Sequence, residues 1–120
     1  MRRDLDLVRV ILMAVEDSDE QVIDAAQLAS GKWDEVTVAR HLELMIEAGL
    51  VVGQVDEYLG GGVDGFVSRL TWPGYDFLDA VRSDSVWQKT KESIGDKVGS
   101  ASFEVLKAVA AGLAMKALGL

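Results

Sequence analysis

Leu5, Val8, Ile11, Leu12 and Val15 recur at three- and four-residue spacing, which puts them on one buried face of a helix over residues 4–16. Asp4 and Asp6 fall in its first turn, where negative charge suits the helix dipole. The acidic run Glu16-Asp17-Ser18-Asp19-Glu20 ends it as a solvated loop. Residues 21–29 suit either a short helix or a strand entering one, and the short helix is favoured. Ser30-Gly31-Lys32 supplies a turn, and Asp34 is a good N-cap for the next helix. Over residues 35–48, Val38, Leu42, Met45 and Ile46 form the inward stripe, with Val36 and Ala39 at its margins. Gly49 fits the left-handed cap that closes a helix.

A change of period follows at once. Residues 50–55 read as a strand, and residues 56–65, with Gly60-Gly61-Gly62 and Asp64-Gly65, as a turn. Residues 66–72 read as the return strand, with Phe66, Ser68 and Leu70 on one face and Val67, Arg69 and Thr71 on the other. Pro73 fits the first position of a helix that buries Phe77, Leu78 and Val81. Ser83-Asp84-Ser85 forms a joint, residues 86–98 an amphipathic helix with Trp87, Ile94 and Val98 inward, and Gly99-Ser100 a break. The last helix, residues 103–118, carries Phe103, Leu106, Ala110, Leu113 and Ala117 as its stripe. Helix, strand and hairpin in this order predict an α+β fold: a winged helix-turn-helix over residues 1–82 and a two-helix C-terminal extension over residues 83–120, for packing or oligomerisation.

Charge changes what that module is expected to do. The net charge is −8 over 120 residues, and residues 1–82 carry seven basic against sixteen acidic side chains. Residues 83–120 carry five lysines against four acids. Affinity for nucleic acid rests on neutralising phosphates, so DNA binding requires the few cations to be segregated. Arg40, His41 and Thr37 on the third helix are candidate DNA or partner contacts, with Arg2, Arg3 and Lys32 holding phosphate and Arg69 on the hairpin strand; Arg9 is a further member of an N-terminal positive patch. Asp34, Glu35, Glu43 and Glu47 oppose them on the helix, and Asp56, Glu57 and Asp64 oppose them on the hairpin.

No catalytic constellation is legible. His41 is the only histidine and reads as a helix residue bordering the core, its ring hydrogen-bonded to a neighbour. The three glycines lack a phosphate-loop pattern, and the loop at residues 16–20 lacks the glycine and terminal glutamate of a calcium loop. The absence of cysteine excludes disulfides, thiolate metal sites and a cysteine nucleophile, and fits a cytoplasmic setting. No signal peptide or membrane span is expected. The expectation is a protein without enzymatic activity, cofactor or metal.

The C-terminal helix is apolar around more than half its circumference, with Ala108, Ala110, Ala111, Gly112, Ala114 and Ala117 permitting close approach. Its stripe at Phe103, Leu106, Ala110, Leu113 and Ala117 is a candidate contact with a second copy or another partner. Alternatively Trp33, Trp72 and Trp87 already cover it. A membrane-surface role is disfavoured, since only two lysines are placed to meet anionic lipid.

Met1-Arg2-Arg3-Asp4-Leu5-Asp6-Leu7, Arg40-His41-Leu42, Glu47-Ala48-Gly49-Leu50, Leu70-Thr71-Trp72, Phe77-Leu78-Asp79-Ala80, Val86-Trp87 and the ending Leu118-Gly119-Leu120 resemble the DUF2513 family. These are small uncharacterised proteins, many carried by phages and prophages, and the resemblance spans essentially the whole chain. It implies a bacterial or phage cytoplasmic protein with a winged-helix core and a helical tail, and no assigned reaction. The Gly-Leu…Arg-Leu-Thr pattern also occurs in winged-helix transcriptional regulators, which generally have basic recognition surfaces; this chain departs there. Two functions follow: a phage-type DNA-binding regulator, or an acidic module that occupies a basic surface on a host or phage protein as an inhibitor or adaptor would.

Overall fold

A computed structural model describes residues 1–95 and 103–119. They form α1 (Leu5–Asp17), β1 (Ile23–Asp24), α2 (Ala25–Leu28), α3 (Glu35–Glu47), β2 (Val51–Glu57), β3 (Val63–Leu70), α4 (Trp72–Val81), α5 (Asp84–Ile94) and α6 (Phe103–Ala117). The fold is mixed α+β, with six helices and one antiparallel sheet of order β1-β3-β2 among the described residues. The expected break at Gly99-Ser100, together with Lys97, Val98 and Leu120, lies outside the described residues.

Residues 21–29 hold both alternatives in turn. Ile23 and Asp24 pair with Val67 and Phe66, and a single helical turn follows. The favoured reading of a helix throughout is corrected, because β3 offers its free edge to these two residues. Asp24 then caps α2 reciprocally with Gln27.

Helix ends follow their local chemistry. Asp4 is the N-cap of α1, accepting from the N–H groups of Asp6 and Leu7, and Asp34 caps α3 from Thr37. At the end of α3, Gly49 has φ +75, its N–H bonds the Ile46 carbonyl, and the Leu50 N–H bonds the Met45 carbonyl. That pair of bonds is a Schellman closure, and it turns the chain directly into β2. Thr71 caps α4, so Trp72 is its first residue and Pro73 the second, one later than expected. Proline is tolerated there for the same reason, since the second N–H of a helix has no intrahelical acceptor.

The hairpin is longer than its sequence suggests. Asp56 pairs with Asp64 and Glu57 with Val63, so the turn is confined to residues 58–62. A register shift between Val52 and Gly53 leaves Ser68 as an extra residue on β3, its hydroxyl donating to the Val52 carbonyl. The bulge corrects the simple alternation: Val67 and Leu70, three apart, both face the core. Gly53 permits it, because a Cβ there would lie 2.3 Å from the Phe66 carbonyl oxygen.

The core is one cluster built from Leu7, Ile11, Leu12, Val38, Leu42, Met45, Val67, Phe77, Leu78 and their neighbours. Trp87 from α5 and Leu106 and Ala110 from α6 join it, so the two C-terminal helices pack on α4 as part of the same body.

Candidate functional site

The N-terminus of α1 gathers residues from four separate stretches of chain. The Asp4 N–H donates to His41 Nε2 at 2.8 Å, and His41 Nδ1 lies 2.8 Å from the Thr37 carbonyl oxygen. These partners assign the imidazole proton to Nδ1, which donates to Thr37, while Nε2 accepts. The Asp4 carboxylate also accepts from Trp33 Nε1 at 2.8 Å. Two residues on, Asp6 accepts from Trp87 Nε1 at 2.7 Å and from Lys91 Nζ at 3.0 Å. Burial pushes the Asp6 carboxyl up, but those hydrogen bonds and the charges of Lys91 and Lys32 outweigh it and hold it below its ordinary 3.8.

A second junction closes the far end of the hairpin. The Thr71 hydroxyl donates to the Gly49 carbonyl while accepting from the Gly74 N–H, and the Thr71 N–H bonds the Leu50 carbonyl. A Cβ on Gly74 would sit 2.1 Å from the Leu50 oxygen, so α4 rests its first turn directly on backbone. Both junctions are architectural: each satisfies its own polar groups, and no buried side-chain polar atom among the described residues lacks a partner.

The surface of α3 and the hairpin is where a partner of either kind was expected. Arg40 is held there by Glu57 from the hairpin, with Glu43 one turn away at 3.6 Å. The hydrogen bond to Glu57 leads in raising the Arg40 pKa, followed by the Glu57 charge. Glu35 and Glu47 elsewhere on α3, and Asp56 and Asp64 on the hairpin, are exposed. Asp56 and Asp64 face each other across the strands, an arrangement that repels. The tip itself is apolar, with Tyr58 and Leu59 exposed beside the glycines. Sequence reasoning took the tip to be acidic and missed these two residues; the signal was their position immediately before Gly60, at the head of the glycine run.

The other expected contacts fare differently. His41 is fully buried, so it is a core residue and not a surface contact. Thr37 is half-buried, its N–H and its hydroxyl engaged by the Asp34 cap. Arg2, Arg3 and Lys32 are exposed, and Lys32 lies 4.8 Å from the centre of the Trp33 ring. Arg69 is exposed on β3, one guanidinium N–H donating to the Leu70 carbonyl. Arg9 does not join a positive patch: it reaches the carbonyls of Val81 and Arg82 and the Asp84 carboxylate, closing the end of α4. On α6, Leu106 and Ala110 are buried inside the chain's own core, Leu113 is half-buried and Ala117 exposed, while the Phe103 side chain lies outside the description. The stripe assigned to a second copy is therefore mostly the one that α6 turns toward its own fold. Of the three tryptophans expected to cover it, Trp87 is buried, Trp33 is half-buried and Trp72 is 81% exposed.

A cleft of about 320 Å³ between α3 and residues of α1, α4 and α6 is lined mainly by Leu5, Val8, Leu44, Met45, Phe77 and Leu106, with Arg3 and Glu47 as its charged residues. No group of three His, Cys, Asp or Glu among the described residues is placed to hold a metal ion. No helix of the described residues is long and apolar enough to cross a membrane.

The model of a family described as hypothetical proteins, DUF2513, matches residues 2–100. The match takes in α1 to α5 and stops short of α6. An uncharacterised protein of Haemophilus influenzae is 32% identical over 111 residues, which make up 92% of this chain and 92% of that one. No solved structure matches the chain.

Proposed function

The chain belongs to the DUF2513 family, and on that footing we propose that it is a non-catalytic winged-helix module, of phage or prophage setting, whose α3–hairpin surface binds a basic surface of a host or phage protein. The element order helix–strand–helix–helix–hairpin and the sheet order β1-β3-β2 support the winged-helix reading. The observation that carries the choice of partner is the clasp on Arg40. A winged helix that reads DNA needs cations on this helix to reach base edges and phosphates. Here the arginine of α3 is already neutralised by Glu57 and Glu43, and α3 and the hairpin carry further exposed carboxylates at Glu47, Asp56 and Asp64.

A second reading keeps DNA as the partner, through Arg2, Arg3 and Lys32, which are all exposed. Titrating labelled random duplex DNA at about 50 mM and then about 200 mM salt separates the two. The protein-partner reading expects no measurable binding at either. Binding at low salt with a steep salt slope, lost in Arg2→Ala/Arg3→Ala/Lys32→Ala, would establish the second reading in its place. For the first, capture of a specific partner by the wild-type chain should be lost in Glu47→Lys/Asp56→Lys.

A further inference from the structure

The turn between β2 and β3 holds two large side chains out in solvent: Leu59 is fully exposed and Tyr58 is 57% exposed. The turn is nonetheless ordered. The Gly61 N–H donates to the Tyr58 carbonyl at 2.9 Å, the Tyr58 N–H donates to the Gly62 carbonyl at 2.8 Å, and Gly61 has φ +91. A tight turn followed by a left-handed residue is a standard three-residue hairpin loop, and it sets Leu59 at its head. A Cβ at Gly60 or Gly61 would meet nothing within 4 Å, and one at Gly62 would lie 3.5 Å from the Tyr58 ring, so no side chain of the three glycines screens Leu59. Just before the turn, Glu57 ties the hairpin to Arg40 of α3. The tip is therefore a preformed prong, and little ordering is left to oppose binding through it. Turns favour polar residues and glycine, and a fully exposed leucine supports no packing within the chain.

The charge beneath the tip indicates what receives it. Glu57 points toward α3, so its neighbour Asp56 lies on the opposite face of the hairpin, directly across from Asp64. The Gln54 amide donates to both oxygens of Asp56 at 3.0 and 3.1 Å, and Asp64 accepts from the Gly65 N–H at 2.9 Å. Neither carboxylate has an ion-pair partner among the described residues. Their repulsion therefore stands in the free chain and is relieved when a cation from outside approaches. We infer that Tyr58 and Leu59 are the anchor of the α3–hairpin surface, entering an apolar pocket on a partner protein whose rim carries Lys or Arg opposite Asp56 and Asp64. The inference rests on the reading of that surface as a protein-binding one and names its central contact. Leu59 and Tyr58 supply the buried apolar contact that holds the complex together, and the carboxylates steer the encounter. The same carboxylates oppose phosphate, whether on DNA or on an anionic membrane.

The test places the photo-crosslinker benzoylphenylalanine at position 59 of the whole chain, with the same probe at exposed Val10 on α1 as control. Irradiated in host extract, the probe at position 59 should link to one protein that the control does not reach, at apolar residues of a concave site bordered by Lys or Arg. With that protein purified, Leu59→Ser should weaken binding about thirtyfold, mainly through faster dissociation. Its urea midpoint should match wild type, because the side chain is fully exposed. Asp56→Lys should chiefly slow association. A partner whose binding is lost in Glu47→Lys/Asp56→Lys but unchanged in Leu59→Ser would overturn the anchor and leave the protein-binding reading standing. No partner at all would overturn both. Links to a second copy of the chain, or to a flat or acidic surface, would overturn the inference, as would Leu59-dependent flotation with phosphatidylcholine vesicles.

Discussion

Replacing Asp4 by alanine should expose how the N-terminal knot is assembled. One carboxylate oxygen of Asp4 caps α1, accepting from Asp6 at 3.0 Å and Leu7 at 3.2 Å, and the other accepts from Trp33 Nε1 at 2.8 Å. Losing an N-cap of this kind costs about 1 kcal/mol. Leaving the indole N–H without its acceptor adds about 1 kcal/mol, the low end for an orphaned donor, because Trp33 is only half-buried and water reaches it. Asp4→Ala should therefore lose about 2 kcal/mol, while its backbone bond to His41 survives, since alanine keeps the N–H. Trp33→Phe removes the indole donor and leaves the cap. In the Trp33→Phe background, Asp4→Ala should then cost only the cap, a coupling of about 1 kcal/mol between the two sites. Urea unfolding followed by far-ultraviolet circular dichroism measures all four corners of this cycle without relying on tryptophan fluorescence. Asp19→Ala, in the exposed loop after α1, is the control and should stay within about 0.5 kcal/mol of wild type. An Asp4→Ala cost no larger than that control, or strictly additive corners, would refute the assignment of Asp4 as the link between α1 and Trp33.

Gly74→Ala should destabilise by about 3 kcal/mol, at the upper end for overpacking, because its Cβ would meet the backbone oxygen of Leu50, which cannot move aside as a side chain does; an unchanged urea midpoint would show that α4 does not rest there. Gly112→Ala should instead stabilise the monomer by about 0.5–1 kcal/mol through helix propensity alone, measured in the same way at low protein concentration. Acid should destabilise the fold through specific carboxylates. Asp6 is held below its ordinary 3.8, and Glu16 below 4.5 chiefly by its hydrogen bonds from Arg82. Their contribution is fully present above those ordinary values and is lost as pH falls through the lower folded-state ones. Unfolding free energy should thus decline from about pH 4.5 downward, and less steeply in Asp6→Asn; equal slopes for variant and wild type would remove Asp6 from this account.

What was legible in the sequence was local. The helix of Leu5 to Val15, the α3 stripe through Val38, Leu42 and Met45, and the Gly49 closure all depend on residues within a few positions of one another, so spacing and cap chemistry were sufficient. The acidic character of residues 1–82 was equally visible, because charge can be counted without coordinates. The boundaries of the hairpin were not, since pairing of Asp56 with Asp64 sets two like charges opposite each other and nothing local favours it. The bulge at Ser68 depends on a partner strand, and so does the two-residue strand at Ile23 and Asp24, which exists because β3 has a free edge.

The same division runs through the functional residues. Sequence alone determined that the chain has one histidine, no cysteine and few cations on its third helix, and those inventories limit the chemistry open to it. Only the tertiary structure decided what each group does. It put His41 in the core between Asp4 and Thr37, spent Arg40 on a carboxylate seventeen positions away, and turned Leu106 inward while leaving Val105 outside. The physical reason is that exposure and ion pairing are properties of whatever lies across the fold. A residue's own neighbours in sequence fix its periodicity, but the groups that neutralise, bury or expose it arrive from elsewhere in the chain.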